Sequence, residues 1–259
     1  MTRFAAALLV VLALAVGLAA EARAAGPNDT VVIAVPGNIF GRTDRGQPQG
    51  IIAEAVAEVF RRMGRPVQFL TMRQPEAIAA LKDGRIDVAT VVVKTPKIQD
   101  AGLFSNPIVM EYNAVVVRKG EGFPLKATAD LAGRRIGVRA GYSYPLLQKN
   151  KGVETTAFDS DGAMFRALVL GKLDAAIFAA LSDSYTFRSE GIITKVELLD
   201  TAVGSVPLYA VLSPRLFSNA ELQEFNRRLA ELRQSPAWPD ILERNGFADL
   251  VHEWPLVSE

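Results

Sequence analysis

The feature that most constrains this chain is a nine-residue pattern met twice. LKDGRIDVA at 81–89 returns as LVLGKLDAA at 168–176, with Leu, Gly, a base, an aliphatic residue, Asp and Ala coinciding at one offset of 87. In both places a helical run stops at glycine and an apolar strand follows. Nine positions are weak proof of duplication by themselves, yet each copy closes the same kind of unit. The first unit opens with TVVIAVPGN, a strand running into a loop at Pro36-Gly37. IIAEAVAEVFRRMG follows, with Ile52, Val56, Val59, Phe60 and Met63 at helical spacing and Gly64 as its stop. PVQFL is a strand, PEAIAALKDG a helix, and IDVATVVV a strand apolar enough to be buried on both faces, as parallel strands are. The second unit reads RRIGVRAGYS, SYPLLQKN, VETTAF and DGAMFRALVLG in the same alternation. Alternating strands and helices predict wound α/β layers, here two of them.

Between the copies lies EYNAVVVRKG, and after the second lies SVPLYAVLSP, both apolar extended runs. ELQEFNRRLAELRQ and PDILERNGF then form amphipathic helices, the first with Leu222, Phe225, Leu229 and Leu232 on one face. No third lobe is available for them, so they return to the first, and the extended runs become crossover strands. The expected fold is α/β with two lobes, 25–114 plus 207–259 and 115–206, enclosing a cleft that opens by hinging.

Arg3 precedes an uncharged run from Phe4 to Ala20 that ends in Ala22-Arg23-Ala24, the pattern of a secretory leader at 1–24. The run is short for a membrane anchor, which needs about 20 apolar residues. With no cysteine, thiol chemistry, disulfides and a lipid-modified Cys are excluded. Leaving out Arg3, Arg23 and Glu21, the rest of the chain holds 27 basic and 27 acidic residues, so no overall field attracts nucleic acid.

In order and spacing, VVIAVPGN, GIIAEAVAEVFRRMG, LKDGRIDVA, TPKIQDAGLFSNP, NAVVVRKG, DLAGRRIGVRAGYS, LVLGKLDAA and ELQEFNRRLAELRQ resemble the type 2 periplasmic solute-binding proteins, in particular the amino-acid-type group serving ABC importers. The resemblance implies a periplasmic monomer without cofactor or metal that traps a small molecule between its lobes and presents it to a membrane permease. It also implies contacts from loops at the carboxyl ends of the parallel strands. In amino-acid binders the loop equivalent to TPKIQDAGLFSNP carries an arginine that holds the ligand α-carboxylate. Ile98 stands there in this chain. A helping hydroxyl falls on Val93, and the aspartate that meets the α-ammonium falls on Ala179. Losing all three leaves both ends of a zwitterion without a partner, which costs several kcal/mol when buried. The expected ligand is therefore not a free α-amino acid in the usual pose, and a small organic anion fits.

Candidate contacts follow from the strand ends. In RAGYSYP, Gly141, Tyr142 and Ser143 stand at a helix entrance that favours an anionic or carbonyl group, with Arg139 just before them; alternatively Ser143 is only a cap and Arg139 is solvated. GNIFGR offers Asn38, Phe40 and Arg42, where Phe40 either stacks on a ligand or packs beneath its own loop. Arg73 and Gln74 end the next strand, and Lys94 starts the TPK loop. Phe178 reads as core. Asp161 reads as a helix cap rather than part of a calcium loop. Asp87 and Asp174 read as bonding within their own turns. His252, the one histidine, has no triad or metal partner in sequence. No catalytic step is expected. A dehydratase of the cyclohexadienyl type on the same scaffold would need a general acid in the cleft, and an accessory or sensory subunit of a periplasmic enzyme system would need an exposed apolar patch.

Overall fold

Eleven strands among the described residues build the molecule, nine of them in one curled sheet. The computed structural model describes residues 30–141, 144–184, 191–248 and 254–258. The proposed leader at 1–24, Tyr142, Ser143 and His252 lie outside them. In the first unit β1 (Val31–Val35), β4 (Val67–Thr71) and β5 (Val88–Val92) run parallel, with β1 in the middle. Helices α1 (Ile51–Arg62) and α2 (Gln74–Asp83) connect them. In the second unit β8 (Ile136–Arg139), β9 (Thr155–Phe158) and β10 (Ala175–Ala179) are parallel with β8 in the middle, connected by α3 (Pro145–Lys149) and α4 (Asp161–Val169). The strand order is β4-β1-β5-β11-β7-β10-β8-β9.

Both units are joined through β7 (Val109–Arg118) and β11 (Val196–Leu212), an antiparallel pair. β11 is longer than the expected crossover: Val196 to Leu208 pairs with β7, and Tyr209 to Leu212 goes on to β5 and to the short β6 (Leu103–Phe104). Separate apolar clusters fill each half. One centres on Ile33, Val56, Phe60, Phe217 and Phe225, with Phe60 5.4 Å from the Phe225 ring, and another on Met164, Phe165, Phe178 and Leu168. Each fully buried side chain of this size contributes about 1.5–3 kcal/mol. Phe178 is core, as read from its apolar strand.

The C-terminal helices α5 (Asn219–Arg233) and α6 (Ala237–Arg244) pack on α1. Ser218 caps α5 reciprocally with Glu221. The final described stretch, 254–258, does not stay with them but lies on the second half. A hairpin of β2 (Arg42–Asp44) and β3 (Gln47–Gln49), turned by Arg45 and Gly46 at positive φ, has no counterpart in the sequence reading. No helix among the described residues is long and apolar enough to cross a membrane.

Candidate functional site

Asp87 and Asp174, one residue ahead of β5 and β10, set the base of each unit. The Asp87 N–H donates to the Val32 carbonyl at 2.8 Å, and its carboxylate accepts the Val32 N–H at 2.8 Å. Asp174 repeats this with Arg135, at 2.9 and 2.8 Å. These bonds reach the neighbouring parallel strand rather than closing the residues' own turns, which corrects the local reading. The Arg135 guanidinium and N–H also hold the Asp174 carboxyl down at about 2.

The opposite, carboxyl ends of the strands form the rim where open α/β sheets recruit ligands. On the first half that rim is apolar or locally paired. Val91 has φ 58°, a left-handed conformation unfavourable for a β-branched residue. It sits where β5 carries an extra residue against β11, since Val92 faces Tyr209 but Ala89 faces Val211. Ile98, at the family's arginine position, packs on the cluster of Ala34, Ile78, Val92 and Ala101. It pins the TPK loop from below, which accounts for an apolar residue in the middle of a polar loop.

The candidate residues of this half disperse. Asn38 accepts the Phe40 N–H through its side chain at 3.0 Å, a turn device. Phe40 is 5% exposed and packs in the core beneath its own loop, and its carbonyl accepts the Ile52 and Ala53 N–H groups at the start of α1. Arg42 leaves for the hairpin and donates to Gln49. Arg73 is 82% exposed and paired with Glu76 in the first turn of α2, which Gln74 begins. Lys94 lies 5.0 Å over the Phe104 ring.

The second rim is charged. Arg139 lies with Gly141, Tyr144 and Gln148 along a cavity of about 350 Å³. Its guanidinium is committed, 3.3 Å from Asp161 and donating to the Phe158 carbonyl at 3.1 Å. Ser160, not Asp161, caps α4 by accepting the Ala163 N–H. Asp161 is thereby left to face Arg139, and burial pushes its carboxyl up against the pull of that cation.

Two residues of this rim were not anticipated. Asp183 is 4% exposed and accepts the Ala179 N–H at 2.8 Å. The Asp183 carboxylate thus lies against the backbone of Ala179, the residue that the resemblance aligns with the family's aspartate. Burial, with Asp161 and Glu111 nearby, raises it to about 7. Glu111 of β7 is buried and accepts the N–H groups of Leu181 at 2.7 Å and Ser182 at 2.9 Å, and the Ser182 hydroxyl at 2.6 Å. Desolvation raises its pKa too. It fastens the loop after β10 to the crossover strand, and Leu181 enters the core of the first half. A lone acid inside the apolar run PIVMEYNAVVV was the available sequence signal for Glu111. Among the described residues no acidic or histidine cluster is arranged for a metal ion.

Two like α/β units sharing a pair of crossover strands, with loops gathered at the carboxyl strand ends, define the class of two-lobed binding proteins. The chain belongs to the bacterial extracellular solute-binding proteins, family 3, whose model matches residues 32–247. It is 27% identical over 145 residues to the L-cystine-binding protein TcyJ of Escherichia coli K12, covering 54% of this chain and 53% of that one. It is 26% identical over 137 residues to the probable ABC transporter extracellular-binding protein YckB of Bacillus subtilis, covering 50% and 48%. The chain thus matches about half the length of these curated relatives. In fold it is similar to the unliganded, open L-cystine solute receptor of Neisseria gonorrhoeae, with a TM-score of 0.69, 20% identity, and coverage of 86% of this chain and 95% of that one.

Proposed function

We propose that this protein is the exported solute-binding subunit of an ABC-type importer, capturing a small solute between its halves and handing it to a membrane permease. Binding shifts the balance of open and closed forms, and the permease reads that shift. Family membership supports this reading, as do the relatives named for cystine binding and ABC transport. The leader pattern at 1–24 supports export to the periplasm.

The charge of the second rim changes the expected ligand. An anion held by Arg139 finds no support, because Asp161 and the Phe158 carbonyl already engage that guanidinium. We infer a solute with an ammonium or similar cationic group that meets Asp161 at the rim, with the buried Asp183 carboxyl behind it adding to the negative field. It lacks a carboxylate clamped from position 98, where Ile98 is packed into the apolar cluster. The observation that carries this is the gathering of Asp161, Asp183 and Glu111 at this rim against the Arg139 cation. A thermal-shift screen of amines, organic acids, sugars and amino acids tests it, since retained ligand raises Tm by mass action. Stabilisation by amines supports the reading; stabilisation confined to organic acids or sugars overturns it.

One observation favours an enzyme on the same scaffold. Asp183, raised to about 7, has the pKa of a general acid. Its near-complete burial weighs against contact with a substrate. A screening hit that is consumed rather than recovered intact decides for the enzyme.

A further inference from the structure

Phe247, beyond α6, is buried in the core of the first half, whereas Trp254 is buried in the second, stacked on Tyr112 of β7 at 6.2 Å and 17°. From there the tail runs along β11. The Ala202 N–H donates to the Pro255 carbonyl at 2.9 Å, and the Val257 N–H donates to the Ala202 carbonyl at 3.0 Å. The Ser258 N–H reaches the Lys126 carbonyl at 2.9 Å, and the Thr128 N–H reaches the Ser258 carbonyl at 3.1 Å. Val257 is buried beside Leu125, Leu131 and Leu199.

These bonds fall where β11 is least supported by its partner. Between Leu198 and Ser205 the register against β7 shifts twice, and Ala202 facing Ala114 is the pair kept between them. Such irregular ladders twist and bend more readily than regular ones. The tail takes up both backbone groups of Ala202 on the other edge and ties this stretch to the segment ahead of β8.

We propose that residues 254–258 are a strap that backs β11 on its open edge, stiffens it at the crossover and thereby restrains opening of the halves. The functional consequence rests on the hinge reading above. The absence of cysteine allows a direct test. Lys82→Cys on α2 and Leu170→Cys at the end of α4 are exposed label sites, one on each half. Single-molecule energy transfer between them is compared in the full chain, a chain ended after Ala248, Trp254→Ala, and Val257→Pro, which removes one N–H donor. The strapless chain is expected to show longer and broader distances, with the open-to-closed ratio up about tenfold, the effect of losing one or two net backbone hydrogen bonds. Val257→Pro is expected to shift in the same direction by less. Should the shortened chain fail to fold by circular dichroism, the two point variants decide. Folded variants whose distances superimpose on those of the full chain overturn the strap. A full chain with one fixed distance, unmoved by every solute that raises its Tm, overturns the hinge and the strap together, and is told apart by that immobility.

Discussion

In the first half Asp87 exchanges two bonds with Val32, and in the second Asp174 does the same with Arg135, so the base of both units is held alike. The rims differ. Val91, Val93 and Ile98 edge the first, and its charges pair near in sequence, as Arg73 does with Glu76. Asp161, Asp183, Glu111 and Arg139, all at least half-buried, edge the second. The base is a backbone device that any copy of the unit needs to align its parallel strands. The rim carries no such duty, and charge has gathered on one side of it.

The largest break in this comparison is expected from Glu111→Ala. It leaves the Leu181 and Ser182 N–H groups buried without an acceptor, at a cost of about 2–4 kcal/mol, or about 5–10 °C in Tm by calorimetry. Next comes pH. The folded pKa of Asp183, about 7, lies above its unfolded value near 3.9, so the native state binds this proton more tightly. Its contribution is full below about pH 4 and is lost as pH rises to 7, and the raised Glu111 acts in the same sense. Asp174, lowered to about 2 by Arg135, acts oppositely: its contribution is present above about pH 4 and lost on acidification towards 2. Asp183→Asn is expected to stabilise the protein at pH 8 by about 2 kcal/mol and to flatten the decline between pH 4 and 7 in melting curves. An unchanged slope would remove Asp183 from the account.

The shared base is sharpened by a matched pair of variants. Asp87→Ala is expected to cost about 1–2 kcal/mol in urea titrations, because it strips the inner β1 strand of a partner. Asp174→Ala is expected to cost at least as much at neutral pH, because it loses the Arg135 guanidinium as well as the backbone bond. Ile98→Arg removes a half-buried anchor for about 1 kcal/mol, with no larger loss because the loop is at the surface. Arg73→Ala is expected to leave Tm unchanged within error, as an exposed ion pair should.

The parallel units were legible because glycine stops and apolar periodicity are local signals, and the amphipathic face with Phe225 and Leu229 placed α5 against the first half. The hairpin at Arg42–Gln49 and the continuous run of β11 were not, since Arg45-Gly46 is a weak turn signal and β11 is defined by two different partners. At the site, the apolar character of Ile98 and Ala179 could be read directly from the residues. Phe40 could not be sorted between wall and core, because one ring serves either place until tertiary packing buries it.

Sequence alone determined the alternation of strands and helices, the repeated unit and the family resemblance, since each depends on residue type at short spacing. Tertiary structure decided which charges are free. Arg139 is quenched by Asp161, Asp183 folds back onto Ala179, and Glu111 of the crossover strand holds the loop between them. These partners lie 4 to 71 residues apart in the chain, and burial, which sets both their pairing and their protonation, exists only once the two halves and their crossover strands have packed.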